Sequence, residues 1–216
     1  MFKKTLLATL LVSVLIAGGA VGLSLIRGAH STVSGAALSV VIIDAGHGGR
    51  DPGVVVAGVH ESGVNLEIAE QVSAILMSQP GLDVVMTRDL DVYLSHEARI
   101  GVANDSGASL YISIQANAYT ESGANGIETW VDKNQLPGSE SWKMAELVQQ
   151  SLISGTAARD RGVRSMELYL GGMSCPAILV ETGFLTNPQE RAKLLNREYQ
   201  QMVAQCIADG ILLMLN

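Results

Sequence analysis

Short apolar runs alternate with amphipathic segments along the chain from Leu38 onward. Runs rich in β-branched residues predict buried strands over residues 38–44, 82–88, 109–114, 126–131 and 177–183. Apolar positions at helical spacing predict helices over residues 65–79, 95–107, 139–154, 188–195 and 197–215. Strands that are apolar throughout and separated by helices are typical of a sheet covered on both faces. The pattern therefore predicts a single α/β domain.

The N-terminus has a different pattern. Lys3 and Lys4 precede an uncharged run, residues 5–26, which as a helix would be roughly 33 Å long and would cross a hydrocarbon core of about 30 Å. A cleaved signal peptide is the alternative, although its apolar region is usually only about 7–15 residues long. In both cases the lysines stay in the cytoplasm and the rest of the chain is exported. The predicted organisation is a membrane anchor or signal segment over residues 1–27, a flexible tether over 28–38 and an extracytoplasmic domain of the cell envelope over 39–216.

Composition and charge narrow the range of partners. Of the 216 residues, 48% are hydrophobic and 16% are charged, and the formal net charge is −7. Because a nucleic-acid partner requires a basic surface, this charge argues against one. The two cysteines, Cys175 and Cys206, are far apart and do not have the spacing of metal ligands. We expect two small buried hydrophobic residues rather than a disulfide, although the sequence leaves their pairing open.

Polar side chains follow three of the predicted strands. The first strand leads into His47 in a glycine-rich loop, the third leads into Gln115, and the last leads into Glu181. In open α/β sheets ligands bind at the carboxyl ends of the strands, so these side chains share one edge if their strands are parallel and adjacent. Glu61, just before the first helix, can face the same edge.

These residues together suit a zinc site. Taken singly, each has an ordinary explanation. A histidine in a glycine-rich loop is usually a turn residue, and the negative charge of a glutamate before a helix interacts favourably with the helix dipole. A histidine and a glutamate together at one sheet edge, however, suit zinc, and a second carboxylate can act on a water bound to the metal. A catalytic zinc normally has three protein ligands, and these residues supply no obvious third one.

Eight sequence blocks occur in order between about residue 40 and the C-terminus. They are VVIIDAGHGGRDPG, ESGVNLEIA, VVMTRDLD, LYISIQANA, GIETWV, RDRGVR, PAILVETGFLTNPQE and the terminal helix. In these blocks the chain resembles the zinc-dependent N-acetylmuramoyl-L-alanine amidases of the cell-wall hydrolase type, which include small membrane-anchored members and enzymes that process the spore cortex. The resemblance implies a mixed, mostly parallel twisted sheet of about six strands flanked by helices. It also implies cleavage of peptidoglycan, by zinc-activated water, at the amide bond between N-acetylmuramic acid and the L-alanine of the stem peptide.

The resemblance implies roles for particular residues. The family binds zinc through a histidine in the D-x-G-H-G-G block, a glutamate before the first helix and a histidine in the S-I-H-x-N block. These positions correspond to His47, Glu61 and Gln115. A glutamate in the V-E-x-G-F block is catalytic in the family, and it corresponds to Glu181.

At position 115 the chain departs from the family, because Gln115 stands where the family has histidine. The amide oxygen of glutamine is a harder and weaker zinc donor than imidazole, so we expect zinc to be held loosely. His60 is a poor substitute, because adjacent side chains near a helix start diverge and Glu61 is its neighbour. His96 belongs to a predicted helix, where a surface or packing role is expected.

Two hypotheses follow. In the first, the chain is an exported amidase, slowed or altered by Gln115, in which Glu181 takes a proton from the attacking water and returns it to the leaving amine. Asn117, Arg161 and Arg164 would then orient sugar or stem-peptide carboxylates, since arginine suits bidentate carboxylate contacts; surface salt bridges are the alternative for the two arginines. In the second, the chain is a non-catalytic or partner-activated homologue that binds peptidoglycan or regulates other hydrolases.

Overall fold

The computed structural model describes residues 38–216. The predicted anchor or signal segment and nearly all of the predicted tether lie outside the described residues. Within residues 38–216, no helix is both long enough and apolar enough to cross a membrane.

The described part of the chain contains eight strands and five α-helices. The strands are β1 (Ser39–Ala45), β2 (Val55–Val56), β3 (Val59–His60), β4 (Leu82–Met86), β5 (Leu110–Asn117), β6 (Ile127–Asp132), β7 (Asp160–Met166) and β8 (Ala177–Phe184). The helices are α1 (Glu61–Met77), α2 (His96–Asp105), α3 (Glu140–Thr156), α4 (Pro188–Leu194) and α5 (Arg197–Leu215), and a 3₁₀ turn spans Tyr169–Gly172.

Six of the strands form one sheet in the order β4-β1-β5-β8-β6-β7, while β2 and β3 pair separately. Strands β1, β4, β5 and β8 run in one direction. Strands β6 and β7 are parallel to each other and run in the opposite direction, so that β6 is antiparallel to β8. The prediction of one α/β domain with a mixed, mostly parallel sheet of six strands is confirmed.

Helices cover the two faces of the sheet unequally. Because successive residues of a strand point to opposite faces, Val41 and Ile43 belong to the main core formed with α1, α3 and α5. Ile42 and Tyr111 point to the other face, where they pack with Ala103 of α2 and with the 3₁₀ turn in a smaller cluster. This second face is the one on which the polar side chains described below are found.

Close approach between α3 and α5 depends on small residues. A Cβ atom at Gly210 of α5 would lie 2.6 Å from the Cα atom of Val148 in α3, so no larger side chain fits without movement. A Cβ atom at Gly155 would likewise collide with the side chain of Cys206. Cys206 is free and buried, as expected, whereas Cys175 is free and only partly buried.

The sequence patterns missed strand β7 and the β2–β3 pair. Strand β7 lies at an edge of the sheet, and its sequence DRGVRSM carries charges and a glycine instead of an apolar run. Strands β2 and β3 have two residues each, which is too short for a periodic pattern. Helix α1 also begins earlier than predicted, at Glu61, because its first two residues, Glu61 and Ser62, are polar although buried and so give no apolar signal.

Candidate active site

Three adjacent parallel strands bring the predicted site residues to one edge of the sheet. Strands β1, β5 and β8 are neighbours, so their carboxyl ends meet there. His47 follows β1, and Gln115 of β5 lies directly opposite Glu181 of β8. Glu61, the first residue of α1, reaches the same region and contacts the imidazole of His47.

The loop around His47 fixes the position of its ring. The φ angle of His47 is 60°, in the left-handed region that residues with a side chain rarely adopt. Two backbone hydrogen bonds between Gly48 and Asp51, of 2.7 and 3.1 Å, close the loop. His47 Nδ1 pairs with Asp51 Oδ2 at 2.9 Å, and Nε2 lies 3.3 Å from Glu61 Oε1. Asp51, which the sequence patterns did not single out, therefore orients the imidazole.

Glu61 is buried, and both of its carboxylate oxygens accept hydrogen bonds. Val54 N donates to Oε2 at 3.0 Å, while Ala116 N and Asn65 Nδ2 donate to Oε1 at 3.3 and 3.2 Å. The hydrogen bond with Glu61 raises the pKa of His47 to about 9, although burial of the imidazole acts in the opposite direction. The carboxylate of Glu61 is thus held in place with one oxygen facing the histidine.

Two of these side chains have the geometry of zinc ligands. Ligand atoms about 2.0–2.1 Å from a tetrahedral zinc lie roughly 3.3 Å from one another, and His47 Nε2 and Glu61 Oε1 are 3.3 Å apart. A carboxylate on the other ring nitrogen, here that of Asp51, is the usual support of a zinc-bound histidine. Among residues 38–216, no third histidine, cysteine, aspartate or glutamate joins this group. The His47 and Glu61 side chains therefore fit zinc at two positions, and Gln115 lines the same cavity as His47.

His60 and His96 do not complete the group. His60 lies just before α1 with its side chain exposed, even though its neighbour Glu61 is buried. His96 is exposed and stacks on Tyr169, with ring centroids 4.2 Å apart. The surface or packing role that the sequence predicted for His96 agrees with this position.

Gln115 is oriented by a buried hydrogen-bond network. Its Nε2 donates to Ser113 Oγ at 3.3 Å, and Ser113 Oγ donates to Asp44 Oδ2 at 2.8 Å. Asp44 is fully buried, accepts a hydrogen bond from Tyr169 at 3.0 Å and forms an ion pair with Arg99. Because the hydroxyl hydrogen of Ser113 goes to Asp44, Ser113 Oγ must accept from the amide nitrogen of Gln115. The amide oxygen of Gln115 therefore points away from Ser113.

Two cavities open on this face of the sheet. The first, of about 330 Å³, is lined by His47, Asp51 and Gln115 among others. The second, of about 290 Å³, contains Glu181. Gln115, which lines the first cavity, is paired across the strands with Glu181, which lines the second, so the two cavities adjoin at this edge of the sheet.

Glu181 has a partly buried carboxyl group that lacks a hydrogen-bond partner on one side. Its Oε2 atom is inaccessible to water and accepts no hydrogen bond within residues 38–216. Burial, together with repulsion from Glu61 and Glu128, raises the pKa of Glu181 to about 8. A carboxyl group that titrates near neutral pH can both accept and donate a proton, which suits acid–base catalysis.

The three predicted substrate-binding residues converge on Glu128, which the sequence patterns did not single out. Glu128 is buried and lies opposite Glu181 on the neighbouring strand β6. Asn117 Nδ2 donates to Glu128 Oε1 at 2.7 Å, and Arg161 Nε donates to Oε2 at 2.7 Å. The nearest guanidinium nitrogen of Arg164 lies 3.6 Å from the same Oε2 atom. A buried carboxylate thus gathers two arginines beside Glu181, in the second cavity.

Sequence comparison relates the chain to cell-wall amidases. A family profile described as N-acetylmuramoyl-L-alanine amidase matches residues 41–212. The chain is 37% identical over 171 residues to the N-acetylmuramoyl-L-alanine amidase LytC of Bacillus subtilis (strain 168), and the alignment covers 79% of this chain. It covers 34% of LytC, so the chain spans about a third of the length of that relative.

Solved structures have the same fold. The N-acetylmuramoyl-L-alanine amidase from Clostridium difficile 630 superimposes with a TM-score of 0.80 at 37% identity, covering 83% of this chain and 98% of that one. The CwlD amidase from Clostridioides difficile, solved in complex with the GerS lipoprotein, has a TM-score of 0.77 at 28% identity. That match covers 82% of this chain and 98% of the CwlD chain.

Proposed function

The chain belongs to the N-acetylmuramoyl-L-alanine amidase family, and from this premise we propose that it is an exported peptidoglycan hydrolase. The bond cleaved is the amide between N-acetylmuramic acid and the L-alanine of the stem peptide. The observation that carries the proposal is the 3.3 Å pair of His47 and Glu61 at the sheet edge that also presents Glu181. The uncharged run over residues 5–26 supports action outside the cytoplasm, with the protein either attached to the membrane or secreted.

The proposed metal is a single zinc ion held by His47, Glu61 and Gln115. Bound there, zinc would polarise the carbonyl of the substrate amide and lower the pKa of a water molecule. Asp51 accepts from His47 Nδ1, which leaves Nε2 as the ligand atom. Ser113 accepts from the amide nitrogen of Gln115, which leaves the amide oxygen as the third donor. A neutral oxygen is a weaker zinc donor than imidazole, so this site should hold zinc less tightly than one with a second histidine.

Glu181 is the proposed general base and general acid. Its carboxylate takes a proton from the water as the water oxygen bonds to the carbonyl carbon of the amide. The carbon–nitrogen bond then breaks, and the same proton passes to the leaving amine of L-alanine. Because the pKa of Glu181 is raised to about 8, both of its protonation states are populated near neutral pH. Asn117, Arg161 and Arg164 line the cavity that contains Glu181 and are proposed to contact the substrate there.

A second candidate function is favoured by Gln115. A weakened third ligand is compatible with a homologue that binds peptidoglycan without cutting it, or that gains its full activity only with a partner protein. The complex of the relative CwlD with the GerS lipoprotein supports the second form of this alternative. Under this proposal the chain positions or regulates other hydrolases.

The test is hydrolysis of purified peptidoglycan in zinc-containing buffer, with products identified by mass spectrometry. An amidase releases intact stem peptides that begin with L-alanine and leaves glycan strands without peptides. Glu181→Gln should abolish this release, because an amide cannot take the proton of the attacking water. Glu167→Gln is the matched control and should retain activity, since Glu167 is 80% exposed and pairs with Lys133.

The same assay separates the two candidates. An amidase loses activity with a chelator and with Glu181→Gln. A binding protein releases no stem peptides but sediments with insoluble peptidoglycan, and neither the chelator nor Glu181→Gln changes the bound fraction. A chain that neither cleaves nor sediments with peptidoglycan contradicts both proposals.

A further inference from the structure

Arg161 and Arg164, the two arginines beside Glu181, differ in how closely each is paired with a carboxylate of the protein. The cavity that they share lies on the sheet face formed by β8, β6 and β7. Its polar end holds Glu181, Asn117 and Glu128, whereas Trp130 and Met166 form part of an apolar surface farther from Glu181. Both arginines were expected to contact the substrate, but their surroundings are not equivalent.

Arg161 is committed to an internal ion pair. Its Nε donates to Glu128 Oε2 at 2.7 Å, and the side chain of Glu128 is only 3% exposed. The guanidinium also lies over the ring of Phe184, 4.7 Å from its centroid. Because a buried carboxylate requires a charged partner, Arg161 serves chiefly to neutralise Glu128. Its charge is therefore largely balanced by Glu128.

Arg164 has no comparable partner. Its nearest nitrogen is 3.6 Å from Glu128 Oε2, beyond hydrogen-bonding distance, and its Nε makes a long contact of 3.4 Å with the backbone oxygen of Arg161. The side chain is 45% exposed. Glu128 carries one negative charge, which Arg161 already balances, so the positive charge of Arg164 and most of its five N–H donors face the cavity without an acceptor within the described residues.

The strand register gives the separation of Arg164 from Glu181, the proposed general base. Arg164 pairs with Trp130, and Trp130 pairs with Leu179, two residues before Glu181. With strands about 4.8 Å apart and about 3.3 Å per residue, the Cα atoms of Arg164 and Glu181 lie roughly 12 Å apart. A peptide that extends from Glu181 toward Arg164 covers about 3.3–3.6 Å per residue. The Arg164 guanidinium lies closer to Glu181 than its Cα atom does, because its nearest nitrogen is 3.6 Å from Oε2 of Glu128, which is paired with Glu181 across the strands. It would therefore meet a group on the second or third residue after the cleaved bond.

We propose that Arg164 binds a free carboxylate on the second or third residue of the stem peptide, and that the chain cleaves peptides carrying this carboxylate in preference to peptides in which it is amidated. This inference rests on the proposed amidase function and names the feature of the substrate that the site selects. The planar guanidinium can form two parallel hydrogen bonds to a carboxylate, whereas a neutral carboxamide offers one acceptor and no charge. The indole of Trp130, 5.6 Å from the Arg164 guanidinium, supplies an apolar surface for the adjoining part of the peptide.

The test uses the full-length chain in detergent with two sets of synthetic muropeptides. Within each set the two members differ only in a carboxylate or a carboxamide, at the second residue in one set and at the third in the other. For at least one set, kcat/KM for the carboxylate member should exceed that for the carboxamide roughly tenfold, mainly through KM, because the contact is made before the reaction. Arg164→Gln should remove the preference, and Arg164→Lys should retain part of it. Arg197→Gln, at the exposed start of α5, is the control and should keep the full preference.

Each outcome bears on a separate proposal. Equal kcat/KM values for both members of both sets would overturn the role of Arg164 and leave the amidase proposal intact. A preference that persists in Arg164→Gln would also overturn that role. If no muropeptide is cleaved, the amidase proposal fails. The affinities of the same muropeptide pairs, measured by calorimetry, then test the role of Arg164. Tighter binding of a carboxylate member that Arg164→Gln abolishes would support the inference, and equal affinities would refute it.

Discussion

Replacing Glu181 with glutamine should stabilise the metal-free protein at neutral pH. The folded state raises the pKa of Glu181 from 4.5 to about 8, because the side chain is buried beside Glu61 and Glu128. Between these two pH values the folded chain holds a proton that the unfolded chain has lost. The free energy of unfolding therefore falls as the pH rises through this window. Glutamine cannot ionise, so the variant lacks this contribution.

The size of the effect follows from the shift in pKa. Each unit corresponds to about 1.4 kcal/mol, so the complete shift from 4.5 to about 8 would cost about 5 kcal/mol once the pH exceeds both values. Water reaches part of the Glu181 side chain, and solvent screening reduces the cost. We therefore expect Glu181→Gln to raise the free energy of unfolding by about 2 kcal/mol near pH 7.5 and by much less near pH 5.

Urea unfolding in the presence of a chelator, at both pH values, measures this difference. A fragment over residues 28–216 omits the apolar N-terminal run and simplifies the measurement. Glu167→Gln should leave stability unchanged within about 0.5 kcal/mol, because substitutions on an exposed surface usually do so. A stability difference between Glu181→Gln and the unaltered chain that is the same at both pH values would refute the reasoning. A destabilised variant at neutral pH would refute it as well.

Two further substitutions test the metal site and the helix packing. Gln115→His should tighten zinc binding by at least about tenfold, since imidazole is the better donor. The measurement is the zinc content per chain after dialysis, by elemental mass spectrometry. One zinc ion retained by the unaltered chain would contradict the expectation. Gly210→Ala should lower the free energy of unfolding by about 1–3 kcal/mol, because its new Cβ would overlap the backbone of α3. Gly101→Ala in α2 is the control, because the new Cβ would have no atom within 4 Å, and it should stabilise the protein by up to about 1 kcal/mol. Equal effects of the two glycine substitutions in thermal unfolding would contradict the packing argument.

The central part of the fold could be predicted because its signals are local. The strands that became β1, β5 and β8 are continuous apolar runs, and such runs indicate burial on both faces. A polar residue at or just after the end of each run then marks the carboxyl edge of the sheet. His47, Gln115 and Glu181 could be placed together from this pattern alone once the strands were taken as parallel neighbours.

The supporting residues could not be predicted, because their partners are distant in sequence. Asp44 ends an apolar run like an ordinary strand residue, yet it pairs with Arg99, which lies 55 residues away. Glu128 sits in a short strand, and its ion pair with Arg161 depends on strand β7, whose charged sequence gives no strand signal. Asp51 is one of several polar residues in a glycine-rich loop, and only the folded loop shows that it contacts His47.

Glu181 distinguishes the two candidate functions more sharply than Gln115 does. Glutamine at position 115 changes one donor atom and leaves its surroundings satisfied, since Ser113 and the buried Asp44 hold the amide in a single orientation. The Glu181 carboxyl, in contrast, lies against two other glutamates with an unpaired buried oxygen, which costs stability at neutral pH. Binding of a peptidoglycan strand gives no physical reason to keep an unpaired acid there, whereas transfer of a proton during hydrolysis does. The cost of keeping Glu181 therefore favours an enzyme with a weakened metal site over a protein that only binds the wall.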